Sequence, residues 1–211
     1  MMSLAIIDSG GSNISSVIYA LRRLGAEPVF TRDPAVIRGA DRVILPGVGA
    51  AAAAMAQLRE ADLISCIREL RQPVLGICLG MQLLYEHSTE DSGDGKGVEC
   101  LGVVPGKLEK LQPSQGLRVP HMGWNVAMPV RQHALFDDLP LEPWFYFVHS
   151  YRAPVTDDTL ATSAHGETFT AVVGRGNFMG AQFHPERSAA HGARLLQNFL
   201  EFTEEGASQW N

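Results

Sequence analysis

Short apolar runs that alternate with helical patterns constrain this chain more than any other feature. Leu4–Ile7, residues 28–30, Arg42–Leu45 and residues 73–77 are each too short for a helix and have the make-up of buried strands. Between the first two, Ile14, Val17, Ile18, Leu21 and Leu24 recur at helical spacing, with Asn13 placed to cap that helix and Gly25 to end it. The alanine-rich stretch 50–58 predicts a second helix on propensity, and Leu63, Ile67 and Leu70 mark a third. Residues 81–85 begin a fourth, directly after the strand at 73–77. Strands joined through helices run parallel, so the pattern predicts an α/β fold: a mixed, mostly parallel twisted sheet with helices on both faces. The second half is richer in strands, expected over 144–151, 169–173 and 178–183, and Leu195, Leu196, Phe199 and Leu200 give a closing amphipathic helix. Gly93, Gly95 and Gly97, mixed with acids between Ser88 and Glu99, predict a mobile surface loop. A length of 211 residues suits one domain, expected over 1–203, with a frayed polar tail over 204–211.

Charge and cysteine content exclude several classes of function. The net charge of −6 builds no positive field for a phosphate backbone, so no nucleic-acid partner is expected. No apolar stretch reaches the roughly 18 residues that span a bilayer, and the first residues lack the cationic start of a signal peptide. Cys66, Cys78 and Cys100 cannot pair completely, which suits a reducing, cytoplasmic compartment and leaves a thiol free for chemistry. No CxxC occurs and the seven histidines form no ligand pair at useful spacing, so neither metal nor other cofactor is expected. Gly10-Gly11 lacks both the dinucleotide fingerprint and the phosphate-loop ending.

Gly76-Ile77-Cys78-Leu79-Gly80 is the sharpest local signal. An apolar strand runs straight into it and a helix follows. A nucleophile on so tight a turn needs small neighbours two residues to either side, and the turn aims the next helix's N–H groups at the sulfur, which favours thiolate. A buried structural cysteine between turn glycines fits the same letters. A thiol nucleophile needs a base, and the base an orienting acid. Phe183-His184-Pro185-Glu186 supplies both after a strand: in an extended chain residues two apart share a side, so Glu186 can hold the His184 imidazole. A surface histidine at a strand end is the other reading. Cys78 and His184 both fall at the carboxyl ends of predicted strands, where open α/β sheets place their sites.

Cys78 within Gly-Ile-Cys-Leu-Gly-Met-Gln, with His184-Pro185-Glu186, resembles the class I (triad) glutamine amidotransferases, whose sheet is flavodoxin-like, and the likeness covers nearly the whole chain. Pro46-Gly47-Val48-Gly49 is similar to that family's oxyanion strand. The strings at 120–125, 146–151 and 182–188 resemble the branch that supplies ammonia to imidazole glycerol phosphate synthases of histidine biosynthesis. Ser9, Ser12 and Arg187 depart from the branch's pattern. The resemblance implies a glutaminase that releases ammonia from glutamine with Cys78 as nucleophile, His184 as acid and base, and Glu186 orienting it. It implies oxyanion donors on the backbone of Leu79 and of Val48 or Gly49, and glutamine contacts from Gly49, Gln82, Ser150 and Tyr151. It implies a partner, a cyclase subunit with a (β/α)₈ barrel, met by Asn13, Trp124, Tyr146 and Arg187 in a heterodimer. Glycines on both sides would let the Val48 peptide rotate, so that the partner switches the glutaminase on. A glutaminase of another synthase, such as that feeding pyridoxal phosphate synthesis, and a regulator that keeps only the fold are the alternatives.

Overall fold

The computed structural model describes residues 2–10, 14–90, 93, 95–113 and 116–202. The first half alternates as expected: β1 (Leu4–Ile7), α1 (Ile14–Arg23), β2 (Pro28–Thr31), α2 (Pro34–Gly39), β3 (Arg42–Leu45), α3 (Ala51–Glu60), α4 (Leu63–Arg68), β4 (Val74–Ile77) and α5 (Leu79–Leu83). Then come β5 (His87–Ser88), β6 (Val98–Glu99), β7 (Lys107–Lys110), β8 (His121–Val126), β9 (Met128–Pro129), β10 (Trp144–His149), β11 (Tyr151–Arg152), β12 (Thr159–His165), β13 (Glu167–Arg175), β14 (Phe178–Ala181) and α6 (Ala189–Glu201).

The main sheet has the order β2-β1-β3-β4-β14-β13-β12-β9. Pairing is parallel from β2 to β14 and antiparallel beyond. The parallel strands read as continuous apolar runs because both faces are covered. Ala5, Ile7, Val43 and Leu45 pack on one side with Ile37 of α2, Met55 and Leu58 of α3 and Ile67 of α4. Leu4, Ile6, Ile44 and Leu75 pack on the other with Val17 and Leu21 of α1 and Leu195, Leu196 and Phe199 of α6. The alternation of odd and even positions between the two sides is the strand's two-residue period made visible.

Several boundaries differ from the sequence reading. Helix α2 was not expected: Asp33 accepts the Ala35 N–H at 2.8 Å and Pro34 opens the first turn, a start signal in only six residues. Helix α5 begins two residues earlier than read and ends before Tyr85. The strand expected over 144–151 breaks at Ser150 into β10 and β11, and the one over 178–183 ends at Ala181, freeing the chain for the turn that follows. Strands β7, β8 and β12 were unread; β7 and β8 carry polar or glycine positions that dilute the apolar signal. The segment between Ser88 and Glu99 is flanked by the two-residue strands β5 and β6, which pair. The expected cap Asn13 and the tail 204–211 lie outside the described residues.

Two small sheets stand apart from the main one, a mixed one of β11, β7, β5 and β6 and an antiparallel pair of β8 with β10, which is the more consequential. Phe145, Phe147 and His149 of β10 point inward and are buried, opposite Asn125, Gly123 and His121. The other face carries Trp144, Tyr146, Met122 and Trp124 outward.

Candidate active site

Cys78 joins β4 to α5 with φ 53° and ψ −110°, a backbone position costly for a residue with a side chain. Its neighbours explain why the turn closes. A Cβ on Gly80 would sit 1.8 Å from the Leu45 carbonyl oxygen, and one on Gly76 would sit 2.7 Å from the Gly80 oxygen. The strand end, the helix start and the end of β3 touch through backbone alone. The Cys78 N–H donates to the Ala181 carbonyl at 2.8 Å, so β14 holds the nucleophile from the side opposite β3.

That same pairing brings the base. Ile77 lies in register with Ala181, so the chain leaving β14 passes the end of β4 as it reaches His184. His184 and Cys78 line the same cleft, close enough for their side chains to interact. The His184 Nδ1 lies 2.8 Å from Glu186 Oε1, with the two side chains only 7% and 3% exposed. The pair is not set by an extended chain, as the sequence reading had it: residues 185–187 form a 3₁₀ turn that folds Glu186 back under the imidazole. Burial by itself lowers the imidazole's pKa, but the interactions with Cys78 and Glu186 and their charges outweigh it and hold His184 up at about 10. The His184 N–H donates to the Tyr146 carbonyl at 2.9 Å. Ser188 Oγ accepts the Tyr146 N–H at 2.9 Å and donates to the His184 carbonyl at 2.6 Å. Strand β10 thereby clamps the turn that carries the base.

A cleft of about 370 Å³ opens beside the sulfur. Its walls bring together Val48, Gly49, Cys78, Leu79, Gln82, Ser150, Tyr151 and His184, all singled out from the sequence. Gln82 is buried, and its Nε2 donates to the Tyr151 carbonyl at 3.0 Å and to Gln182 Oε1 at 2.9 Å. Leu79 opens α5, where a helical N–H has no partner within its own helix. The two glycines around Val48 differ. A Cβ on Gly47 would meet the Gly80 nitrogen at 2.8 Å, so that glycine serves close packing and gives the peptide little room to turn. Gly49 has φ +93° and open space around it, so no packing contact holds that side of the Val48 peptide.

Sequence reasoning missed four contributors. Glu90 lines the cleft and accepts the Ala51 N–H at 2.6 Å, which puts a carboxylate where an ammonium group can be met. Gln182 Nε2 approaches Cys78 Sγ at 3.9 Å; only the string Gln182-Phe183-His184 hinted at it. His149 lines the cleft and is hydrogen-bonded at 2.9 Å to His121. Their sequence separation carries no signal, because the β8–β10 pairing makes the contact. Among the described residues no group of three His, Cys, Asp or Glu side chains is arranged to hold a metal.

Trp124 and Tyr146 pair across β8 and β10 with ring centroids 6.2 Å apart; Trp124 is half exposed, and Arg187 is exposed on the turn beside the base. Asn13 lies outside the described residues. Cys66 and Cys100 are buried away from any base, and burial raises both thiols, Cys100 to about 12.

Comparison with known proteins identifies the family. The family model for glutamine amidotransferase class-I matches residues 5–202. The chain is 56% identical over 203 residues to imidazole glycerol phosphate synthase subunit HisH of Xanthomonas axonopodis pv. citri (strain 306), covering 96% of this chain and 99% of that one. To the subunit of the same name in Xylella fastidiosa (strain Temecula1 / ATCC 700964) it is 53% identical over 201 residues, covering 95% and 98%. Among solved structures, a glutamine amidotransferase superposes with a TM-score of 0.70 at 21% identity, covering 94% of this chain and 97% of that one. PurLQS of Thermotoga maritima gives 0.68 at 21%, covering 95% and 99%; these two likenesses speak for the fold alone. With a glycine-bounded cysteine elbow, a histidine held by a glutamate and a family match spanning nearly every residue, the chain belongs to the class I glutamine amidotransferases.

Proposed function

We propose that this chain is the glutaminase of an imidazole glycerol phosphate synthase, with Cys78, His184 and Glu186 as its triad. One observation carries the catalytic assignment: side chains far apart in sequence meet at the mouth of a cleft large enough for one glutamine. The relatives that match this chain over nearly their full length carry that synthase's name, which supports the physiological role.

The chemistry follows from the geometry. The Cys78 sulfur attacks the side-chain amide carbon of glutamine, and the carbonyl oxygen takes the displaced electron pair. Backbone N–H groups of Leu79 and of Val48 or Gly49 stabilise that oxyanion, each such donor being worth about 3 kcal/mol in the transition state. His184, held as the imidazolium by Glu186, protonates the departing nitrogen, and ammonia leaves as the thioester forms. The imidazole, now neutral, takes a proton from water, whose oxygen attacks the thioester carbon. Glutamate leaves and the proton returns to the Cys78–His184 pair. Gly49, Gln82, Ser150 and Tyr151 hold the substrate, with Glu90 facing its ammonium group.

Ammonia is consumed elsewhere in this reading, on a protein that carries the acceptor site. The receiving protein is the cyclase subunit, folded as a (β/α)₈ barrel and docked on Trp124, Tyr146 and Arg187. It would join ammonia to its nucleotide substrate and release imidazole glycerol phosphate and the aminoimidazole carboxamide ribonucleotide. The test is the coupled assay with the purified cyclase. Glutamine and ammonium salts should both support product with the unmodified chain, and Cys78→Ser should abolish the first while sparing the second. A complex that uses ammonium but never glutamine would end the reading.

A further inference from the structure

At the cleft wall, which His149 lines, the hydrogen bonds of two histidines run in one direction. A carbonyl oxygen only accepts, so His149 Nδ1, 2.8 Å from the Tyr151 oxygen, carries a hydrogen. Neutral His149 then offers Nε2 as an acceptor, and His121 Nδ1 at 2.9 Å must donate to it. His121 Nε2 is left to accept, and Asn125 Nδ2 stands 3.2 Å from it. The amide of Asn125 is oriented independently, since its Oδ1 accepts the Val126 N–H at 2.8 Å and its Nδ2 donates to the Ala164 carbonyl at 2.9 Å. Every donor finds an acceptor only when both rings are neutral with the hydrogen on Nδ1. Burial favours that state, lowering His121 to about 4 with help from nearby His165, and His149 to about 3 against the pull of the Tyr151 carbonyl.

The line continues past Tyr151. Its carbonyl oxygen also accepts from Gln82 Nε2, which bonds Gln182 Oε1, and Gln182 Nε2 reaches toward the Cys78 sulfur. Both imidazoles sit among aromatic rings, His121 stacked 4.9 Å from Phe147 and His149 edge-on 5.0 Å from Phe169. A phenyl ring would fill either place without the cost of burying polar nitrogens. The polar rings are explained by what they hold.

We propose that His121 and His149 are positioning residues for glutamine: as a neutral, one-way pair they fix the Tyr151 carbonyl, and through it Gln82 and the Ser150–Tyr151 segment, in the arrangement that receives the substrate. This deepens the glutaminase reading and rests on it. Losing the His149 bond leaves the carbonyl held by Gln82 alone and the His121 N–H without an acceptor, so the effect falls on substrate binding.

Two measurements test it. Imidazole ¹⁵N spectra of the unmodified protein near neutral pH should show both rings neutral and protonated on Nδ1. An Nε2–H tautomer or an imidazolium at either position overturns the proposal, and this readout needs no variant to fold. Steady-state glutamine hydrolysis with the cyclase present gives the second. His149→Phe keeps the ring and loses the bonds, and it should raise KM for glutamine about tenfold with kcat within about twofold. His149→Asn restores a donor at the Nδ1 position, and should return KM to within about threefold of the unmodified value. Equal effects of Phe and Asn, or no effect of either, reduce the pair to packing and refute the role. Failure of the unmodified complex to hydrolyse glutamine refutes the glutaminase reading instead.

Discussion

Three cysteines, one of them the proposed nucleophile, form the chemical signature to test at single residues. Cys78 alone has a histidine partner, while burial holds Cys66 and Cys100 as protonated thiols. A glutamine-like electrophile should therefore label Cys78, and peptide mapping that finds the label on Cys66 or Cys100 would contradict the assignment. In the proposed triad, removing the base should cost more than removing its orienting acid. His184→Ala should lower glutamine turnover at least about a thousandfold and Glu186→Gln roughly tenfold less, read from kcat with the cyclase present. The pH dependence of stability has two opposed parts. His184 is raised, so its contribution is full below about pH 6.5 and is lost as pH climbs toward about 10. His121 and His149 are lowered, so theirs is full above about pH 6.5 and is lost as pH falls toward about 4 and 3. Denaturant midpoints across pH should show His184→Ala flattening the alkaline limb and His149→Phe the acid limb. Gln82 and His184 were legible in the letters, since each sits in a spaced motif. His121 and His149 were not, because a histidine's role lies in which nitrogen faces what.

The turn that carries Cys78 lives at the level of elements, and its glycines divide by reason. Gly80 lets β3 and α5 touch, so Gly80→Ala must push apart backbone that has no room to move. It should destabilise by at least about 3 kcal/mol, seen as a lower Tm or insoluble protein. Gly49→Ala meets no neighbour, but its φ of +93° is unfavourable for alanine, so stability should fall only about 1 kcal/mol while glutamine turnover drops much further. Comparable losses of stability at both positions would show that the oxyanion strand is packed as tightly as the elbow. The alternation of the first half was readable because each buried parallel strand is a pure apolar run. Strands β8 and β12 were not, because each has one polar or exposed side whose letters resemble loop.

The whole molecule presents an aromatic face beside its chemistry. Trp124 and Trp144 are each half exposed on the outer side of the β8–β10 ribbon, while the inner side carries His121 and His149, and Tyr146 clamps the His184 turn through its backbone. Large aromatics of this kind anchor interfaces. Trp124→Ala should weaken the complex with the proposed cyclase partner by about 2 kcal/mol, roughly thirtyfold in Kd by titration calorimetry, while glutamine binding changes little. A partner seated there lies on the strand whose Tyr146 backbone holds the His184 turn. Glutamine turnover by the isolated chain should therefore be low and rise on the order of a hundredfold with cyclase and its nucleotide ligand. Equal turnover in both states would leave an always-on glutaminase.

Local chemistry was decided by the sequence alone: which runs are buried on both faces, where small residues permit a sharp turn, which thiol has a base and acid of the right types. Those properties depend on neighbours within a few positions, so letters carry them. The adjacency of β4 and β14 was decided only by the tertiary structure, and with it the meeting of Cys78 and His184. So were the 3₁₀ turn that seats Glu186, the close approach that spends Gly47 on packing, and the direction of the His121–His149 hydrogen bonds. Each depends on which strand lies beside which, a choice made by burying two sheet faces at once, and no window along the chain contains it.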